Sequence, residues 1–416
     1  KLGIWCDYGI TLQPSEGIGV FVANLVQGLV HQPDLSEILL VTKDREESLL
    51  EPVRQLSPDR IRIVGNRRPP AYLRKPWKFL RRLDRKRKAR GGKSISDSAV
   101  LGPVYHWFEE RVQRDKSDWL SSVDLWLLPY VGLDQSFPKP TVVIVHDLVT
   151  YHFPDSTTPE KLESLKRLVK QVTDNATLVA CMSQFILEKD LLGTLGLPTE
   201  KTRMVRPAVP VDLQQGAADL SSLPLSLKPM SYLLYPAAFR SYKNHQLLID
   251  ALPKIDQLMK PHASSDLHVV FTGITDCPEP LRRRIEALKV ADRVHVLGKV
   301  SRDALANLYR QAYATVVPSF YEQGSFPLME SLAFGCPILS SDIPSLREQL
   351  AGMGDAALFF DPNSSDSLVN ALRELDLDRE GRLQRQLAGF ARMKERTWDD
   401  AAKEWCVVFQ EAISSR

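Results

Sequence analysis

Val316-Val317-Pro318-Ser319-Phe320-Tyr321-Glu322-Gln323-Gly324-Ser325-Phe326-Pro327-Leu328-Met329-Glu330-Ser331-Leu332-Ala333-Phe334-Gly335-Cys336-Pro337 reads as a strand, a glycine-containing loop and a helix. The strand ends in apolar Val316-Val317, and Pro327 falls in the first helical turn, where a missing N–H does no harm. A helix that begins just after a Gly-Ser loop presents unpaired N–H groups and the positive end of its dipole. A diphosphate suits such an end. Glu322 lies in the loop and Glu330 on the first turns of the helix. As acceptor-only groups, both match the vicinal hydroxyls of a sugar or ribose. The competing reading is a capped surface helix, and two glutamates eight apart do not decide between them.

The same strand-to-helix rhythm extends in both directions. Strands are predicted near 2–7, 38–42, 61–64, 125–130, 141–146 and 178–183, then near 232–237, 267–273, 294–298, 314–318, 337–340 and 356–360. Several runs, such as Val142-Val143-Ile144-Val145 and Val269-Val270-Phe271, are continuously apolar, as parallel strands covered on both faces require. Strands alternating with helices build a doubly wound α/β sheet, and here the pattern runs twice. The expected architecture is two Rossmann-like domains facing a cleft, over 1–207 and 231–396, with a basic insertion at 67–118. Residues 208–230, with prolines at 207, 210, 224 and 229 in or beside them, mark a linker. In the last segment, 397–416, Trp398, Ala402, Trp405, Phe409 and Ala412 form one helix face. That stripe predicts a helix packing back on the N-terminal domain.

Other strand ends carry polar groups toward the expected cleft, because ligands bind at the carboxyl ends of parallel strands. Tyr235-Pro236-Ala237-Ala238-Phe239-Arg240-Ser241-Tyr242-Lys243-Asn244-His245 runs from strand to helix start with two cations. Arg240 offers a fork and Lys243 a point charge for phosphate. Gly17-Ile18-Gly19 lies between the first strand and its helix, and glycine admits close approach of a ligand. It lacks the third glycine of a dinucleotide fingerprint. The strand at 141–145 ends in His146-Asp147.

Taken together, these positions resemble a glycosyltransferase of family 4, whose fold is GT-B. Glu322 to Glu330 resembles the family's Glu-x7-Glu motif, with Gly335-Cys336-Pro337 and Ser340 following. Lys243-Asn244-His245 resembles its Lys-Asn-His at the donor diphosphate, Gly17-Ile18-Gly19 its N-terminal glycine loop, and Val145-His146-Asp147-Leu148 its strand-end His-Asp. Gly273 and Val294-His295-Val296-Leu297-Gly298, with Lys299 and Val300 after them, fit the segments flanking the base. The resemblance covers nearly the whole chain apart from about 67–118. It departs at Val20, where many relatives carry Arg, at the short Arg240–Lys243 spacing, and at Met204-Val205-Arg206-Pro207.

The resemblance implies retaining transfer of a hexosyl group from a nucleoside-diphosphate sugar, GDP-mannose or UDP-glucose, to a glycan or lipid-linked glycan in polysaccharide biosynthesis. It implies that Arg240, Lys243 and the backbone N–H groups from Gly324 through Ser325 and Phe326 to Leu328 hold the diphosphate. Glu330 would take the ribose, Glu322 the donor sugar, and His146 the sugar from the opposite domain. No metal or other cofactor is expected; Asp376-Leu377-Asp378 lacks a preceding strand and reads as solvated surface. The alternative is a catalytically inactive nucleotide-sugar-binding partner protein.

Composition excludes other classes. The chain has 416 residues, 44% hydrophobic and 25% charged, which rules out a mostly disordered polymer. No apolar run reaches the roughly 18 to 20 residues of a membrane span. The opening Lys1-Leu2-Gly3-Ile4-Trp5 shows no signal-peptide pattern, and five scattered cysteines form no Cys-x-x-Cys pair. A cytoplasmic location is expected. Net charge is +3, yet residues 67–93 carry thirteen Lys or Arg against one acid, Asp84. After Pro76 the order predicts a short helix with Trp77, Leu80 and Leu83 near one face, able to lie peripherally on an anionic membrane at the inner face. A solvated loop is the alternative. Nucleic acid is not expected, since charge elsewhere is negative and no nucleic-acid fold motif is present.

Overall fold

The structure, a computed structural model, describes residues 1–7, 17–66, 71–89, 92–108, 119–131, 137–209, 228–258, 267–273 and 276–415. It contains two sheets. The first is built from β1 (Leu2–Trp5), β2 (Ile38–Lys43), β3 (Ile61–Asn66), β4 (Leu125–Leu128), β5 (Thr141–Ile144), β6 (Leu178–Cys181) and β7 (Thr202–Met204). Their order is β3-β2-β1-β4-β5-β6-β7. β1 pairs in parallel with β2, Leu2 opposite Ile38, and with β4, Leu2 opposite Leu125. Every residue of β1 and β4 is buried. This explains their unbroken apolar runs, since helices or loops cover both faces. Gly3 is required here: a Cβ would lie 2.5 Å from the Trp126 ring.

The second sheet comprises β8 (Tyr232–Pro236), β9 (His268–Thr272), β10 (Val294–Val296), β11 (Ala314–Val317), β12 (Ile338–Ser341) and β13 (Leu358–Phe360). The order is β10-β9-β8-β11-β12-β13, and every neighbouring pair is parallel. Strand order reverses between β8 and β11, so a crevice opens beyond their carboxyl ends. Two parallel sheets of this kind are the Rossmann-like pair of the GT-B fold. β7 was not predicted; Thr202-Arg203-Met204 has no apolar run.

The chain divides into two compact units. One gathers Lys1–Ile144, Gln171–Val179 and Ala402–Arg416; the other gathers Val145–Lys170 and Ala180–Ala401. In the first unit the helix Gly17–Leu29 buries Phe21, Leu25 and Leu29. Gly17 and Gly19 therefore sit in a helical first turn, and the expected glycine loop is corrected to that extent. The C-terminal helix Trp398–Ser414 buries the predicted face: Trp398, Ala402, Trp405, Phe409 and Ala412 are all at most 5% exposed. Trp405 meets the Phe21 ring edge-on, with centroids 6.4 Å apart. The second unit has its own core, running through Leu233, Leu248, Val269, Val316, Leu332 and Leu372.

The basic segment also differs from expectation. It forms one long helix, Ala71–Ala89, in which Trp77 and Leu80 are buried. Trp77 packs on Tyr105 at 4.9 Å, and the buried Asp84 accepts from Ser94 Oγ at 2.7 Å and Ile95 N at 2.6 Å. Two of the three residues of the stripe offered to a membrane, Trp77 and Leu80, are thus covered by the chain itself, and burying such a side chain stabilises by roughly 2–3 kcal/mol. Phe79 stays 61% exposed and Leu83 37%. Residues 67–70, 90–91 and 109–118 of the basic insertion and 210–227 of the linker lie outside the described residues. All five cysteines are unpaired, and burial pushes the Cys6 thiol up to about 12. Among the described residues no helix is long and apolar enough to cross a membrane.

Candidate active site

The loop after β8 is fixed by two side chains of the Lys243-Asn244-His245 run, Asn244 and His245. Asn244 adopts a left-handed conformation, φ 54°, which Asn tolerates better than most residues. Its Nδ2 donates to Pro318 O at 3.0 Å and Pro362 O at 2.8 Å, tying this loop to those after β11 and β13. His245 opens the helix His245–Leu258 and is buried among Tyr235, Phe239 and Phe271. Its Nε2 faces Ala237 O at 3.1 Å and must donate. Of the Lys-Asn-His trio, only Lys243 remains for a ligand.

Burial pushes His245 down to about 4, from an ordinary value near 6.5. Between those values the unfolded chain binds a proton that the folded chain refuses. The stabilising contribution is complete above about 6.5 and is lost as pH falls through about 4. We expect urea midpoints to drop across that window and the drop to flatten in His245→Gln, which keeps a donor but does not titrate. An unchanged slope in the variant would refute the assignment.

At the ends of β8 and β11, Lys243 Nζ lies 2.6 Å from Glu322 Oε1, and Ser319 Oγ donates to the same oxygen at 2.7 Å. The side chains are 21% and 8% exposed. Burial pulls the Lys243 ammonium down, but the Glu322 charge and hydrogen bond outweigh it and hold it above its ordinary value. Tyr235 OH, 3.0 Å from Ser319 Oγ, supports the group from below. Arg240 is exposed and stands outside this pair. His146 follows β5 half-buried, and burial holds the neighbouring Asp147 carboxyl above the usual range, with Asp190 and Glu322 adding to the rise. His146 and Asp147 fall in the same compact unit as Glu322.

Glu330 lies on the helix Phe326–Ala333, where Tyr309 OH donates to its Oε2 at 2.7 Å. Tyr309 is fully buried and stacks on Phe334. Burial raises the Glu330 carboxyl above its ordinary range, and the Tyr309 hydrogen bond pulls it partly back. Tyr309 was missed because it is twenty-one residues away on a different helix.

The cradle at this helix start is smaller than predicted. Ser325 N already donates to Gln349 Oε1 at 2.7 Å, and Gln349 Nε2 returns a bond to Ser325 O at 3.0 Å. Leu328 is core, whereas Gly324 and Phe326 are exposed. Gly273 donates to Gly298 O at 2.9 Å, and a Cβ there would lie 2.8 Å from Ala237 O. Lys299 is exposed, and Val300 packs against the Tyr232–Leu308 cluster. Asp376 is bound by Tyr313 OH, and Asp378 caps the helix Arg379–Met393, so both have structural partners. Among the described residues no group of three His, Cys, Asp or Glu could hold a metal ion.

The Lys243–Glu322 pair, Tyr309–Glu330 and β8–β13 all lie within one stretch that matches a known family. Residues 226–392 match the family model for glycosyl transferases group 1. The chain is also 25% identical over 312 residues to a D-inositol 3-phosphate glycosyltransferase of Corynebacterium glutamicum (strain R), covering 71% of each. It is 23% identical to an O-antigen chain mannosyltransferase B of Escherichia coli, covering 70% of this chain and 74% of that one. A solved structure of Anabaena Alr3699/HepE in complex with UDP superposes with TM-score 0.63 at 14% identity, over 99% of this chain and 100% of that one. That likeness shows the fold.

Proposed function

We propose that the chain is a retaining glycosyltransferase that moves a hexosyl group, mannose or glucose, from a nucleoside-diphosphate sugar to a glycan or lipid-linked acceptor in polysaccharide biosynthesis. The observation that carries this is the part-buried Lys243–Glu322 pair beyond the carboxyl ends of β8 and β11. The group 1 match, the relatives' names and the UDP in the Anabaena structure support it.

As the anomeric C–O bond breaks, charge builds on the departing diphosphate. Lys243, with Arg240 and the free N–H groups near Gly324 and Phe326, stabilises it. Glu322 receives donor-sugar hydroxyls on its second oxygen, and Glu330 receives the ribose. His146 contacts the donor sugar. The chemistry uses no metal. The exposed cations of Ala71–Ala89, with Phe79, make contact with an anionic membrane surface, which co-sedimentation with anionic and neutral vesicles tests.

The function is tested by thermal shift with UDP, GDP and ADP, followed by hydrolysis of UDP-glucose and GDP-mannose. A ligand at a hundred times its dissociation constant stabilises by about 2.7 kcal/mol. No shift with any nucleotide refutes the proposal. A shift without hydrolysis or transfer instead selects the inactive partner protein.

A further inference from the structure

Asp190 is a fully buried carboxyl group with no part in the proposed transfer. It is 0% exposed and lies in a π-helical segment, Leu187–Thr194, a local form that recurs at functional positions. Both its oxygens are engaged. Oδ1 accepts from His152 Nε2 at 2.7 Å. Oδ2 accepts from Leu148 N at 3.1 Å and from Tyr321 OH. Leu148 N also lies 3.2 Å from the Tyr321 hydroxyl oxygen, closing a triangle.

These partners stand 38, 42 and 131 residues from Asp190 along the chain. A group serving only its own helical turn would be bonded locally. Instead, one side chain joins the segment after β5 to the segment after β11. Leu148 follows His146-Asp147, and Tyr321 immediately precedes Glu322. The Tyr321 ring is 2% exposed and enclosed by His152 at 5.1 Å, Phe185 at 5.7 Å and Phe153 at 6.3 Å. Its hydroxyl has one direction to point, and Asp190 supplies the acceptor. All these residues belong to the same compact unit.

We propose that Asp190 is a positioning residue: through Tyr321 it sets the backbone from which Glu322 reaches Lys243, and through Leu148 it sets His146-Asp147. The link to turnover rests on the reading of Glu322 as a donor-sugar contact; the link to geometry does not.

Two variants test it. Asp190→Asn keeps the shape but presents an amide donor to one set of its partners whichever way it turns. Tyr321→Phe removes only the hydroxyl and leaves the ring contacts. Crystal structures of both should keep the fold and show the Lys243–Glu322 contact, 2.6 Å in the native chain, opened beyond hydrogen-bond reach. With UDP-glucose and GDP-mannose as donors, kcat for hydrolysis should fall about a hundredfold, the effect of roughly an ångström of misplacement, while KM moves by less than about threefold.

An unmoved Lys243–Glu322 contact in Tyr321→Phe overturns the proposal, and so does a KM rise with kcat intact. If native protein hydrolyses neither donor, the proposed function fails and the structural comparison alone decides the role of Asp190. Should Asp190→Asn not fold, Tyr321→Phe carries the test.

Discussion

Lys243→Ala is expected to lose stability on the order of 3 kcal/mol, because it strands Glu322, 8% exposed, without a counter-charge. Breaking one side of a buried pair is more damaging than removing both. Lys243→Met combined with Glu322→Gln should therefore recover most of the unfolding midpoint. Binding separates differently. The double variant should bind UDP and GDP as poorly as Lys243→Ala does, since both lack the cation proposed to meet the diphosphate. Titration of each nucleotide beside its parent nucleoside reads this directly. Equal losses for nucleotide and nucleoside would show that Lys243 is no phosphate ligand. A single variant as stable as the native chain would show that the pair is not desolvated.

Glu330→Ala is expected to weaken nucleotide binding by roughly ten- to a hundredfold, the 1.5–3 kcal/mol of a truncated charged hydrogen bond. It also leaves the buried Tyr309 hydroxyl without its acceptor, so Glu330→Gln is the cleaner probe. The amide oxygen can still accept from Tyr309, while the carboxylate proposed to meet the ribose is lost. Calorimetry with UDP and GDP and with their 2′,3′-dideoxy forms isolates the contact. The native chain should discriminate between ribose and dideoxyribose, and Glu330→Gln should not. Undiminished discrimination would remove Glu330 from the ribose site.

The sheets were readable because buried parallel strands are continuously apolar, a local property of the string. β7 escaped because Thr202-Arg203-Met204 carries none of that pattern. The placement of the two glutamates and Lys243 was readable because they stand where strands become helices. Their supporting partners were not. Tyr309, Gln349 and Asp190 each act across a long stretch of chain, and in sequence each reads as an ordinary helical residue. The structural tasks of Asn244 and His245 were hidden for a related reason. Their neighbourhood pointed to a ligand, but their hydrogen bonds are made to the backbone at 318, 362 and 237. Trp77, Leu80 and Leu83 similarly formed a legible stripe, and sequence alone could not show that Tyr105 would pack on Trp77.

Asn244 has a consequence for how such a site can change. Its position demands both a left-handed backbone and two donors. Glycine meets only the first demand, aspartate lacks the donors, and lysine or glutamine strains the backbone. The loop's shape is therefore vested in one amino acid that faces inward. The side chains of Arg240 and Ser241 before it are exposed and can be exchanged without the loop losing its course. Form and surface are separately inherited here: the rim can vary by substitution, while the same frame is passed on.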